Sequence, residues 1–141
     1  MQPSSAMLAP VIALVLWTFV MWGWMYATRI PAIIAMRMRF DPNLPRGAQM
    51  NELPATVRWK ADNYNHLFEQ PTLFYAVGLA LAVLGDTSMV ALALAWAYVA
   101  LRVAHSLWQA LVNVIPTRFY LFAASSLVLF ALTIKAALQV F

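Results

Sequence analysis

Polar and apolar positions alternate along this chain in long blocks. Residues 6–28, AMLAPVIALVLWTFVMWGWMYAT, run for 23 positions without a charge, enough to cross a hydrocarbon core of about 30 Å as one helix. No basic segment precedes them and no small-residue cleavage site closes them, so they read as a retained span. Trp22, Trp24 and Tyr26 near its end suit an interfacial aromatic belt. A second apolar block runs from about 66 to 84 and stops at the turn signal Gly85-Asp86. A third runs from about 88 to 112, interrupted by Arg102 and His105, and a fourth from about 118 to 139, with Thr117 after Pro116 as its expected N-cap. The links at 85–87 and 113–117 are short, so consecutive spans should run antiparallel. The expected fold is all-α: a single domain, residues 1–141, forming an integral membrane four-helix up-down bundle.

Composition supports the bilayer as solvent. Of the 141 residues, 64% are hydrophobic and 10% charged, against roughly 45–50% and about 25% in soluble domains. A soluble fold needs a polar shell that so few charges cannot supply. The net charge is +4, and its placement matters more than its size. The long loop at about 29–60 carries Arg29, Arg37, Arg39, Arg46, Arg58 and Lys60, and Arg118 follows the third span. The opposite side offers Asp86, the uncharged N-terminal segment and Lys135. Basic residues collect on the cytoplasmic side, so loops 1 and 3 of this multi-pass protein are expected to face the cytoplasm. The absence of cysteine excludes disulfides, thiol nucleophiles and thiolate metal sites, and two separated histidines make no metal motif. Cations that flank spans without forming a basic domain argue against nucleic acid as a partner.

Two polar stretches sit where a span should be apolar. In ADNYNHLFEQPTLFY, residues 61–75, a helix read continuously from Pro54 to Leu84 puts Arg58, Asp62, Asn65 or His66, and Glu69 on one face. Pro71 should bend that helix and free a carbonyl that something else must satisfy. In LRVAHSLWQ, Arg102, His105 and Gln109 share a face of the third span. Arg102 lies about 24 Å along a helix axis from Asp86, and Glu69 lies about as far back along the second span. The two should therefore be level, as an ion pair or around a shared ligand. Ionisable groups at such depth are functional candidates, although a buried Glu–Arg pair that only fixes helix register would leave the same trace.

NYNHLFEQP at the head of the second span, together with ALRVAHSLWQ near the end of the third, resembles the MAPEG family (membrane-associated proteins in eicosanoid and glutathione metabolism) in its bacterial branch. The resemblance extends over nearly the whole chain. It implies a homotrimer that binds glutathione between neighbouring subunits near the cytoplasmic face. It also implies transferase, peroxidase or isomerase chemistry on hydrophobic small molecules. Asn65, Glu69 and Arg102 occupy the places of the family's glutathione contacts, His105 matches its bacterial Arg-x-x-His, and Arg118 is the candidate for the thiol-activating arginine beside Arg102. Arg58 joins the ligand-binding set as the arginine nearest before Asn65, with Lys60 also close by. The chain also departs from the pattern. Ala61 stands where catalytic members have arginine, the Asn65–Glu69 spacing is one residue longer, and His105 with Trp108 or Gln109 replaces the expected tyrosines. The resulting expectation is a glutathione-dependent transferase or peroxidase acting on lipophilic electrophiles. The competing one is a non-catalytic structural or ligand-binding membrane protein that retains the fold.

Overall fold

The first span, helix α1 (Ser5–Ala35), buries Met7, Val11, Leu14, Thr18, Met21 and Met25. Those positions step alternately by four and three residues, the seam of a left-handed supercoiled bundle. In the computed structural model, which describes residues 5–141, the same spacing recurs in each span. The first four residues of the uncharged N-terminal segment lie outside the described residues. α1 continues seven residues beyond the apolar block that ends at Thr28, carrying Arg29 and Pro31 inside the helix. At 31 residues it is about 46 Å long and outreaches the hydrocarbon layer, so its last turns stand at headgroup level. It closes with Met38 N–H bonded to the Ile33 carbonyl and Arg37 N–H to that of Ile34. Arg37 adopts a left-handed conformation (φ 50°), as a Schellman cap requires.

After a loop containing a short 3-10 turn, Gln49–Glu52, the second span is built from two helices, α2 (Ala55–His66) and α3 (Pro71–Val83). A continuous helix from Pro54 to Leu84 is not formed. Pro71 has no N–H to offer the Leu67 carbonyl and its ring crowds that carbonyl. The chain between the helices therefore tightens into i→i−3 bonds, with Phe68 N–H on Asn65, Glu69 on His66 and Leu73 on Gln70. The seam nevertheless passes through the break: Leu67, Pro71, Phe74, Gly78 and Leu81 are all buried. Gly78 admits α1 so closely that a Cβ there would lie 2.7 Å from Val11 Cγ2.

Gly85 (φ 71°) ends α3 as anticipated, and Ser88 Oγ caps helix α4 (Met89–Leu111) by accepting from Ala91 N–H at 3.3 Å. Helix α5 (Ile115–Val140) starts three residues before Arg118, with Pro116 in its first turn and Val114 at the cap in place of Thr117. Proline is well suited to that first turn, where its missing N–H has no partner to lose. α1 packs against α2, α3 and α4; α4 packs against α5 and α2; and α3 leans on α5. The second and third spans meet across the interior through large side chains, among them Phe74 stacked on Tyr98 at 4.5 Å.

α1, α4 and α5 are each long and apolar enough to cross a membrane. Their outward positions carry large apolar side chains such as Leu16, Phe19, Val90, Leu127 and Phe130. A polar solvent would penalise so much contiguous apolar surface. The chain is an all-helical, four-span membrane bundle whose basic ends, Arg29, Arg58 and Arg118, lie opposite Asp86 and Lys135.

Candidate functional site

The α4 seam changes chemistry halfway along. Ala91, Ala95 and Tyr98 give way to Arg102, His105 and Gln109, with Ser106 beside them, and all seven are buried. Because the seam faces inward whatever residue occupies it, the register that packs three apolar residues also forces three polar ones into the interior. Arg102 is fully buried. Its Nη2 donates to the His66 carbonyl at 3.3 Å, one of the groups released where α2 stops before Pro71. Its Nε and Nη1 have no hydrogen-bond partner among the described residues. The Phe122 ring lies 5.7 Å from the guanidinium carbon, within cation–π range.

Around this group the side chains of three spans converge. Asn63 of α2 donates to Ser106 Oγ, while Asn63 Oδ1 and Gln109 Oε1 remain buried without donors. His66 Nδ1 is 2.6 Å from Glu69 Oε2, and its ring lies 5.2 Å from His105 and 5.4 Å from Phe122. Arg118 donates to Asn113 Oδ1 at 2.7 Å. His66, His105, Arg118 and Phe122 border a cleft of about 210 Å³, closed by Ile115 and Phe119. The lining brings together one arginine, two imidazoles and an aromatic face, with Arg102 buried behind His66 and Phe122, a set suited to an anionic ligand.

Four of the six residues singled out in the sequence, Glu69, Arg102, His105 and Arg118, come together here. The level predicted for Glu69 and Arg102 does not produce an ion pair. Among the described residues no carboxylate lies within 4.0 Å of Arg102, and the Glu69 side chain is 66% exposed. The tightened turn at 67–70 rotates Glu69 outward, where it meets His66. Arg58 and Asn65 lie in a second cleft of about 340 Å³ beside Arg29, Arg46, Asn51 and Asp62. Asn63, Ser106 and His66 carry roles the sequence reading did not give them. Counting back by three and four from the buried positions 78, 74, 71 and 67 reaches 63, which would have picked Asn63 over Asn65 as the interior amide.

Pro71→Ala tests whether the break supplies the Arg102 acceptor. Leu67 and Gln70 already hold right-handed helical dihedrals (φ −71°, ψ −11° and φ −61°, ψ −36°), so an N–H at position 71 would let α2 and α3 join. The His66 carbonyl would then accept from Gln70 N–H in place of Arg102. Amide exchange at 68–73 is expected to slow, the melting temperature to hold or rise, and ligand-induced stabilisation to weaken by about tenfold in affinity, near 1.4 kcal/mol. Unchanged exchange in this segment would show that the turn forms without the proline.

A four-span bundle with a buried cation and a cleft at its basic end defines a membrane protein with an interior polar site. The family model described as MAPEG family matches residues 7–138, nearly the whole chain, and the chain belongs to that family. No curated protein matches it, and no solved structure does.

Proposed function

We propose that this protein is a glutathione-dependent transferase or peroxidase acting on lipophilic electrophiles dissolved in the bilayer. The observation that carries the reading is Arg102: a fully buried guanidinium with two unpartnered nitrogens and no carboxylate beside it among the described residues. An unpaired arginine within a membrane bundle costs roughly 3 kcal/mol or more, a cost that an anionic ligand offsets. Glutathione brings two carboxylates, an ammonium and a thiol. Arg102 and Arg118 suit the anionic groups, and nearby cations favour the thiolate. His105 borders the same cleft. The cleft holding Arg58 and Asn65 offers a second anion-binding surface. In a homotrimer this surface is a candidate for holding part of a tripeptide shared with a neighbouring subunit. Family membership supports the glutathione-related chemistry. The basic ends support a bacterial inner-membrane protein with loops 1 and 3 in the cytoplasm, and the apolar outer surface gives a hydrophobic substrate its route of entry.

Two measurements on detergent-purified protein test the reading. Glutathione should raise the melting temperature in a concentration-dependent way, because a ligand bound only by the folded state stabilises it. An activated chloronitroarene should be conjugated faster than in protein-free buffer. A rate equal to the protein-free one between about pH 6 and 9 would remove the catalytic claim, and stabilisation without turnover would leave a glutathione-binding protein.

A further inference from the structure

The pairing of His66 with Glu69 has a geometry that register and packing do not require. We propose that His66 is the general base of the cleft, positioned by Glu69, and that its Nε2 takes the proton of the bound thiol. The inference rests on the glutathione reading above and adds to it a role for a residue that the sequence pattern offered only as the alternative to Asn65. Nδ1 stands 2.6 Å from Glu69 Oε2. With Nδ1 donating to that carboxylate, the neutral imidazole carries its lone pair on Nε2, at the opposite side of the ring. The ring borders the cleft, its side chain is 23% exposed, and Nε2 has no hydrogen-bond partner among the described residues. His105, the other imidazole of the cleft, is buried (2% exposed) and has no carboxylate partner.

The charged and titratable groups facing His66 divide the work. Arg102 and His105 come from α4, Arg118 from α5, and Glu69 from the turn that follows α2. The two guanidiniums oppose a further positive charge on the imidazole but favour a thiolate in the same cleft. Glu69 offsets that opposition where it acts, at the imidazole. In the step itself the S–H bond breaks, the electron pair stays on sulfur and the proton moves to Nε2. The products are a thiolate and an imidazolium whose Nδ1–H remains bonded to Glu69, so no further reactant is needed. The Pro71 break is part of the device. On an unbroken helix Glu69 would sit one turn along from His66 at the usual surface spacing, whereas the tightened turn brings the carboxylate to the ring edge.

The experiment compares wild type, His66→Gln and Glu69→Gln, using glutathione and S-methylglutathione as probes. Binding is read by calorimetry and the bound thiolate by its ultraviolet absorbance across pH. Both side chains stand outside the packed seam, and Arg102 uses the His66 carbonyl, which each variant keeps. S-methylglutathione, having no thiol proton, should bind all three proteins to within about twofold. With glutathione, the midpoint of thiolate formation should move to higher pH by about one unit in Glu69→Gln and further in His66→Gln. A pair that merely staples the turn would leave that midpoint in place. Retained binding with an unmoved midpoint in both variants overturns the proposal while leaving the glutathione reading intact. Failure of wild type to bind either compound overturns the glutathione reading, and this inference with it.

Discussion

Arg102→Met is expected to leave the ligand-free protein at least as stable as wild type and to abolish its stabilisation by glutathione. The two effects have separate origins. A guanidinium at this depth costs roughly 3 kcal/mol, and in this protein a single hydrogen bond, to the His66 carbonyl at 3.3 Å, offsets that cost together with the Phe122 face. Replacement by an apolar side chain of similar length removes the burial penalty and loses one charge-assisted hydrogen bond, about 1.5–3 kcal/mol, while the His66 carbonyl keeps its bond from Glu69 N–H. The terms nearly cancel, as they do when buried charges give way to well-packed apolar residues. Binding has no such cancellation. The Nε and Nη1 donors, which have no acceptor among the described residues, leave the guanidinium by different edges and can each take an anionic oxygen in a charge-assisted hydrogen bond. Their removal should cost about 3 kcal/mol, near a hundredfold in affinity. Arg102→Lys should fall between, since it keeps the charge and loses the planar set of donors. Melting curves with and without glutathione decide the matter. A ligand-free Arg102→Met protein several degrees less stable than wild type would mean that the guanidinium is satisfied within the chain.

Depth along the spans was legible in the sequence; direction around them was only partly so. Counting residues from Gly85 correctly placed Glu69 near the level of Arg102, because rise per residue hardly varies. Whether they touch depends on rotation, and i→i−3 bonding by Leu67, Phe68 and Glu69 before Pro71 turned Glu69 away. Similarly, the face holding Arg102, His105 and Gln109 was readable because α4 is one unbroken helix, whereas Asn65 was favoured over Asn63 because it shares a face with Glu69, and that face is the exposed one. The extension of α1 to Ala35 was hidden by Arg29 and Pro31. Both residues mark the end of an apolar block, and neither ends a helix that has left the hydrocarbon layer. The start of α5 at Ile115 was missed for a related reason. Thr117 has the better capping side chain, but Pro116 fits a first helical turn and Arg118 N–H already bonds the Val114 carbonyl. Both polar stretches were legible from their pattern, and the structure decides which of their side chains face the interior.

Asp86→Asn should show the opposite signature to Arg102→Met, with a large loss of stability and an unchanged response to glutathione. Asp86 sits at the far end of the bundle, about 24 Å from Arg102 along α4, with its side chain only 3% exposed. One carboxylate oxygen accepts from Ser88 N–H at 2.7 Å. The other accepts from Gln139 Nε2 at 2.6 Å and pairs with Lys135 Nζ at 2.8 Å. This ties the turn between α3 and α4 to the last turns of α5. Burial alone would push the carboxyl pKa up; the bonds from Lys135, Ser88 and Gln139 outweigh it and hold the group well below the usual carboxylate range. A carboxylate with a pKa lower in the folded than in the unfolded chain contributes stability that is fully present above its ordinary value, about 3.9. That contribution is lost as pH falls towards the folded value. Wild type should therefore melt progressively earlier in acid below about pH 4, while Asp86→Asn, already lacking the contribution, should show a flatter profile there. At neutral pH the variant leaves Lys135 without its partner and should be less stable by about 3 kcal/mol. Equal melting of the two proteins at neutral pH, with parallel decline in acid, would show that the clamp contributes nothing. A lost glutathione response in a variant that still folds would mean that the two ends of the bundle are coupled through α4.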